Sequence, residues 1–313
     1  MVKYAKRQRN LFAYFLFYLK GDKMIMGKQL SFIKTIQPYF VMETDSFHQY
    51  ILGEYGISHF YSYEIDPMTV SRAVVPDGCL DILFEYGENS LQANVCGTVL
   101  QHKVILRQKS KTCFGVRFFP GFCPPFIVGK LTDFVDRQIP FGEISKSIDL
   151  LNAMSEAKTF AERIDIFMEE YMKTYSEKTA LGGVQIILKA VETMIYGSHG
   201  EIRIKDIEER SGYTARYINK LFHAELGMNP KKFCLIIKFQ RFLTQLHCTN
   251  GESIAKLAVD YGYFDQAYLI KEFSKYTNMT PTRYFRMIQE VNYNARVITY
   301  ENRIVSENKD TLL

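Results

Sequence analysis

No two of the six cysteines stand in a CxxC pair, and none joins the histidines at the spacing of a zinc ladder. Cys79, Cys96, Cys113, Cys123, Cys234 and Cys248 therefore read as reduced, buried thiols of a cytoplasmic protein, and no metal or cofactor is expected. His48, His59, His102, His199, His223 and His247 are scattered, with no HExxH pair and no evident serine or cysteine partner. Nothing here marks a catalytic centre. No membrane span is expected either: the apolar run LFAYFLFYL at residues 11–19 is about half the length a bilayer requires. Lys3, Lys6, Arg7 and Arg9 precede that run in the manner of a signal peptide, but no small-residue cleavage site follows. Translation starting at Met24 or Met26, with residues 1–35 as a disordered extension, fits better than export. An interfacial anchor is the sharper alternative.

What is present divides by charge. The net charge of +5 over 313 residues resolves into +6 over residues 1–30, −5 over 31–199, +5 over 200–289 and −1 over 290–313. A basic C-terminal module beside an acidic one suits contact with nucleic acid by the first and not the second.

Residues 36–142 carry short apolar or alternating runs (HFYSYEI, LDILFEY, KVILR, CFGVRFF) between turn signals such as Pro76-Asp77-Gly78 and Pro120-Gly121. Phe114, Val116 and Phe118 share a face by period two. A β-rich, barrel-like domain is expected. Over residues 143–198 the period becomes helical: Ile148, Leu151 and Met154, then Phe160, Ile164, Phe167, Met168 and Tyr171, then Ile187, Leu188, Val191 and Ile195. This reads as a helical linker or a dimerisation region.

Residues 204–233 recur, approximately, at 254–284. Ile204, Ile207, Gly212 and Tyr213 return as Ile254, Leu257, Gly262 and Tyr263; Tyr217, Lys220, Phe222, Met228 and Pro230 return as Tyr268, Lys271, Phe273, Met279 and Pro281. Two copies cannot stack into a solenoid. Each copy reads as a short amphipathic helix, a Gly-aromatic turn and a second helix with a polar free face, which is a helix-turn-helix. Gly212 supplies a positive φ, and Thr214 caps the following helix. Ile218, Leu221 and Phe222 face inward, leaving Arg216, Asn219, Lys220 and His223 to solvent. In the second copy Ser253 and Asp265 are the caps, Leu269 and Phe273 turn inward, and Gln266, Ala267, Ile270 and Lys271 face out. Arg and Lys suit guanine, Asn and Gln suit adenine, and Ala or Ile suits a thymine methyl. Residues 231–247 contain no helix breaker and read as one rigid connecting helix. A fragment from residue 183 to 313 is expected to fold alone, each subdomain having its own apolar core.

SGYTARYINKLF, GMNPKKF and GYFDQAYLIKEFSKYTNMTP resemble the DNA-binding domain of the AraC family of bacterial transcription regulators. The resemblance covers residues 199–289 and implies base reading by Arg216, Asn219, Lys220, Gln266, Ala267 and Lys271. Lys271 stands where that family usually has Arg, and Asn278 where Gly is usual. PDGCLDILFEY (76–86) and GVRFFPGF (115–122) resemble motifs of one subgroup that carries an N-terminal domain of undefined function. In that domain Cys79, Asp81 and Arg117 are candidates for an effector pocket. An Arg between Val116 and Phe118 needs a partner, either a protein carboxylate or a bound anion.

The fold class expected is α+β: an N-terminal β-rich domain, a helical linker, and an all-α domain of two helix-turn-helix subdomains, with 290–313 as a tail. The function expected is sequence-specific regulation of transcription on double-stranded DNA, reading two successive major grooves and modulated through the N-terminal domain. The further partners are a small-molecule effector, RNA polymerase for an activator, and a second copy for a homodimer. Two alternatives differ in class. A redox regulator would act through Cys79, Cys113 or Cys123. An alkylation-repair methyltransferase would need a four-cysteine zinc cluster and a Pro-Cys-His setting, and both are missing.

Overall fold

The computed structural model describes residues 35–66, 71–88, 90–106, 110–147, 149–175, 183–249, 253–263 and 265–300. The readings of the start site and N-terminal anchor fall outside them. Helix α1 (Pro38–Met42) leads into strands β1 (Phe47–Glu54), β2 (Ile57–Glu64), β3 (Ser71–Val74), β4 (Asp81–Tyr86), β5 (Leu91–Cys96), β6 (Lys103–Leu106) and β7 (Thr112–Phe118). Then come α2 (Leu131–Phe134), β8 (Gln138–Pro140), α3 (Phe141–Ile144), α4 (Asp149–Glu156) and α5 (Phe160–Thr174). The C-terminal half holds α6 (Gly183–Gly197), α7 (Ile204–Ser211), α8 (Ala215–Leu226), α9 (Pro230–Cys248), α10 (Ile254–Asp260), α11 (Gln266–Thr277), α12 (Pro281–Glu290), α13 (Tyr293–Arg296) and a last strand, β9 (Val297–Tyr300).

Seven strands form one sheet in the order β8-β5-β4-β7-β2-β1-β9, and β3 pairs with β6 in a second, smaller one. The large sheet stays open, with the short β8 and the C-terminal β9 as its edges. All pairings are antiparallel except β1 with β9. Residues 297–300, expected in a tail, thus close the edge of the N-terminal sheet. The sequence signal for this is weak, because four residues of parallel pairing carry no turn of their own.

Strands β4, β7 and β2 are buried on both faces, and the two faces differ in chemistry. Phe60, Ile82, Phe84, Phe114, Val116 and Phe118 point to one side, where Leu150 and Met154 of α4 and Ile164, Phe167 and Tyr171 of α5 cover them. Successive strand residues alternate sides, so the other face receives Tyr61, Asp81, Leu83, Glu85, Cys113 and Arg117. Gly115 is small because Tyr61, its register partner, lies across it: an added Cβ would sit 2.1 Å from the Tyr61 ring.

The segment 143–198, expected as one linker or dimerisation unit, is divided between two cores. Helices α4 and α5 belong to the sheet. Helix α6 packs Ile187, Leu188, Val191 and Ile195 against Ile207, Ile218, Phe222 and Phe233. Its stripe completes the first helix-turn-helix subdomain, so that stripe is not a free dimer surface.

The core of the second subdomain is not separate from that of the N-terminal domain. Leu257, Leu269, Phe273, Tyr276 and Tyr284 share one continuous cluster with Tyr39, Phe40, Tyr63, Val75 and Leu83 of the N-terminal domain. Helix α9 joins the two: Gln240, fully buried, accepts from the Ile36 amide at 2.8 Å and donates to the Pro76 carbonyl at 2.7 Å. This continuity argues against an independent fragment. Cutting at residue 183 removes the N-terminal residues packed with the second half of α9 and leaves Gln240 without its partners, which costs free energy at a formerly dry site. In thermal melts followed by circular dichroism, the fragment 183–313 should melt well below the full chain and bind a hydrophobic dye. A fragment as stable as the full chain would refute the shared core.

Candidate nucleic-acid interface

The first candidate reader is built as its residues dictate. Helix α7 ends at Gly212, whose φ of 72° is left-handed and whose amide donates to the Glu208 carbonyl at 2.9 Å. Tyr213 is buried and stacks on Tyr217 with ring centroids 5.4 Å apart. Thr214 then caps α8, its hydroxyl accepting from the Tyr217 amide. Ile218, Leu221 and Phe222 are buried, while Arg216, Lys220 and His223 are exposed. Asn219 differs from expectation: it is half-buried, and its Nδ2 donates to the Ala215 carbonyl of its own helix at 2.8 Å. Pairing with adenine would require it to leave that bond.

The second reader repeats this plan. Asp265 caps α11 by accepting from the Ala267 amide at 2.8 Å. Ser253, by contrast, makes no side-chain cap on α10, although its backbone is extended as a cap requires. Leu269 and Phe273 are buried, and Gln266, Ala267, Ile270 and Lys271 are exposed. Tyr268, 45% exposed, shares this face although its repeat counterpart Tyr217 is half-buried, and the sequence reading did not single it out. Lys231 and Arg283 also stand exposed in the first turns of α9 and α12. Side chains and free amides at such helix starts are phosphate-binding groups.

Helix α9 carries both readers. Asn229 caps it, and Lys238 Nζ near its middle donates to the Gly262 carbonyl at 2.6 Å, tying the second turn to the first half of the helix. At about 1.5 Å per residue its nineteen residues run roughly 28 Å. Both readers rest their C-terminal ends on the N-terminal domain. For α8 the contact is the ion pair Lys130–Glu225 at 2.8 Å. For α11 the Tyr39 hydroxyl donates to the Thr277 carbonyl at 2.7 Å, and the His102 amide donates to the Lys275 carbonyl at 3.2 Å. These are among the last carbonyls of a helix, which lack partners within it.

The candidate effector residues come together, but not as an open anion site. Asp81 lies directly opposite Arg117 across β4 and β7. Arg117, 1% exposed, donates Nε to Asp81 Oδ1 at 2.9 Å and Nη2 to Asp81 Oδ2 at 2.6 Å, and lies 3.4 Å from Asp77. The partner that Arg117 requires is thus a pair of protein carboxylates. Burial pushes the Asp77 carboxyl up, against the lowering effect of Arg117. Cys79 is buried beside them, 3.1 Å from the Thr35 hydroxyl. Burial holds the Cys79 thiol far above its ordinary range and the Cys123 thiol at about 12. A redox sensor needs accessible thiolate, so the geometry weighs against that alternative. Among the described residues no cluster of His, Cys, Asp and Glu is arranged to hold a metal, and no helix is long and apolar enough to cross a membrane.

Comparison with known proteins agrees with this division. Residues 207–287 match a family described as a helix-turn-helix domain, and residues 52–140 match a domain of unknown function, DUF6597. No curated protein matches the chain. Among solved structures, ToxT from Vibrio cholerae in its P21 crystal form superposes with a TM-score of 0.39 at 11% identity, covering 72% of this chain and 94% of that one. ToxT bound to (E)-4-(8-methylnaphthalen-1-yl)but-3-enoic acid gives 0.43 at 11%, covering 78% and 99%. Fatty-acid-bound ToxT gives 0.37 at 9%, covering 77% and 93%.

Asn278 tests the local account of the second reader. It ends α11 in the left-handed region, at φ 60°, where Gly212 and Gly227 end α7 and α8. Asn278→Ala should cost about 1 kcal/mol, because a Cβ without a compensating polar group is strained there. Asn278→Gly should be neutral or stabilising. Thermal denaturation of the full chain distinguishes the two, and equal effects would mean that the backbone relaxes out of this conformation.

Proposed function

We propose that the chain, with its helix-turn-helix domain joined to a DUF6597 domain, is a DNA-binding transcription regulator of the AraC type whose α8 and α11 read two successive major grooves. Successive grooves on one face of B-DNA lie ~34 Å apart, which suits readers mounted along α9. The observation that carries the reading is the repetition in space: two capped helices, each with a buried apolar stripe and an exposed polar face, held by one rigid strut. Arg216, Lys220 and His223 would meet bases or phosphates in the first groove, with Asn219 after rotation. Gln266, Ala267, Ile270 and Lys271 would do so in the second. Lys271 lacks the fork of an arginine, and Ala267 and Ile270 offer only methyl contact. The second reader is the weaker of the two.

Modulation by the N-terminal domain is supported by its attachment to that weaker reader. Tyr39 and His102 hold the end of α11, and the two share a core, so a rearrangement near α1 would move the reader. Operation in the cytoplasm, contact with RNA polymerase in an activator and pairing with a second copy are compatible with this arrangement.

Sequences selected by the full-length protein from a random DNA pool supply the test. On the selected site, Arg216→Ala and Lys271→Ala should each lose about 1–3 kcal/mol, with little loss on random DNA. Log affinity should fall with log salt at about −0.9 per phosphate engaged. Equal losses on both DNAs would reassign these residues to phosphate contact.

A further inference from the structure

A cavity of about 330 Å³ lies between the polar face of the large sheet and the small β3–β6 sheet. One wall presents Asp81, Leu83 and Glu85 of β4; the other presents Arg72 of β3 and Phe40 of α1. Exposed Gln138 and half-buried Asn94 stand at its rim. Arg72 is only 4% exposed, yet its Nε and Nη2 have no hydrogen-bond partner. Its guanidinium is held in place by ring faces, 4.4 Å from Phe40 and 5.3 Å from Tyr63. Glu85, 6% exposed, lines the same cavity, and no ion pair within 4.0 Å joins the two.

Burying a guanidinium whose donors go unused is costly. Arg117 nearby shows the usual solution, since both Asp77 and Asp81 are taken up by it. That leaves Arg72, with two unused donors, and Glu85, which attracts it from beyond ion-pair distance, lining a common space. Nε and Nη2 form the edge that grips a carboxylate with two parallel bonds. Glu85 calls for a donor, and the two carboxylates on Arg117 make that wall more acidic, favouring an ammonium and opposing a second anionic group. We propose that this cavity binds a free amino acid, its carboxylate on Arg72 and its amino group toward Glu85. The volume is at the small end of ligand pockets, which suits one amino acid and not a nucleotide. Arg72 was not singled out from the sequence, because SRAV gives no sign that an arginine faces inward. This proposal rests on the reading of the N-terminal domain as the regulatory one. Phe40 lines the cavity while its neighbour Tyr39 holds the end of α11, so occupancy would be felt at the second reader.

The test uses the full chain and each standard L-amino acid at millimolar concentration, with butyrate and butylamine as single-charge controls. A ligand of the native state raises Tm by mass action. At least one amino acid should raise Tm, with neither control doing so, and calorimetry should give its Kd. Arg72→Gln and Glu85→Gln should each weaken that Kd about tenfold or more. Should either variant fold poorly, Gln138→Trp provides a second route, closing the mouth without touching the buried charges, and it too should abolish the Tm shift. The proposal is overturned if no amino acid shifts Tm, or if butyrate alone matches the effect and Glu85→Gln leaves it unchanged. It is also overturned if butylamine alone matches and Arg72→Gln is silent. DNA affinity with and without the amino acid is measured separately. Binding without a change in DNA affinity keeps the site and removes only the regulatory reading.

Discussion

Helix α9 is packed on almost every side, and that constraint organises the molecule. Phe233, Ile236 and Ile237 in its first half close the core of the first reader. Phe239, Phe242, Leu243 and Leu246 in its second half serve the second reader and the N-terminal domain together. At the crossing sits Gln240, whose amide is used on both its oxygen and its nitrogen by the chain at residues 36 and 76. A fully satisfied buried amide fixes register in a way apolar contacts do not. A shift of α9 along its axis would break these bonds and misplace both readers.

The two faces of the large sheet divide the labour around that helix. The aromatic face is sealed by α4 and α5 and contributes stability. The other face carries Asp81, Glu85, Arg117 and Tyr61 and looks toward α1 and the second reader. Charged groups there are expensive to bury, and a purely structural sheet would gain by replacing them with apolar residues. They are concentrated on the side that touches the helix-turn-helix half.

What could be read in the sequence was what depends on neighbours within a few residues. Gly212, Thr214 and Asp265 announced turns and caps, and the spacing of Ile218, Leu221 and Phe222 marked the inward face of α8. The extent of α9 followed, to within a residue at each end, from the absence of breakers over residues 231–247. Long-range pairing decided the rest. That Arg117 faces Asp81 depends on strand register; that the α6 stripe meets Phe222 and not a second copy depends on how α6 docks. The same holds for β9 against β1 and for the open donors of Arg72. Asn219 lies against its own helix for a local reason, since an asparagine within a helix can return its amide to the carbonyl four residues back.

The central claim is that one rigid helix lets a single chain occupy two neighbouring major grooves. Hydroxyl-radical footprinting of the full-length protein on its selected site, at concentrations where one chain is bound per DNA, tests it most directly. The account requires two protected segments centred about 10 base pairs apart on one face of the duplex. A single protected segment would contradict it and leave the second helix-turn-helix as a support for the first.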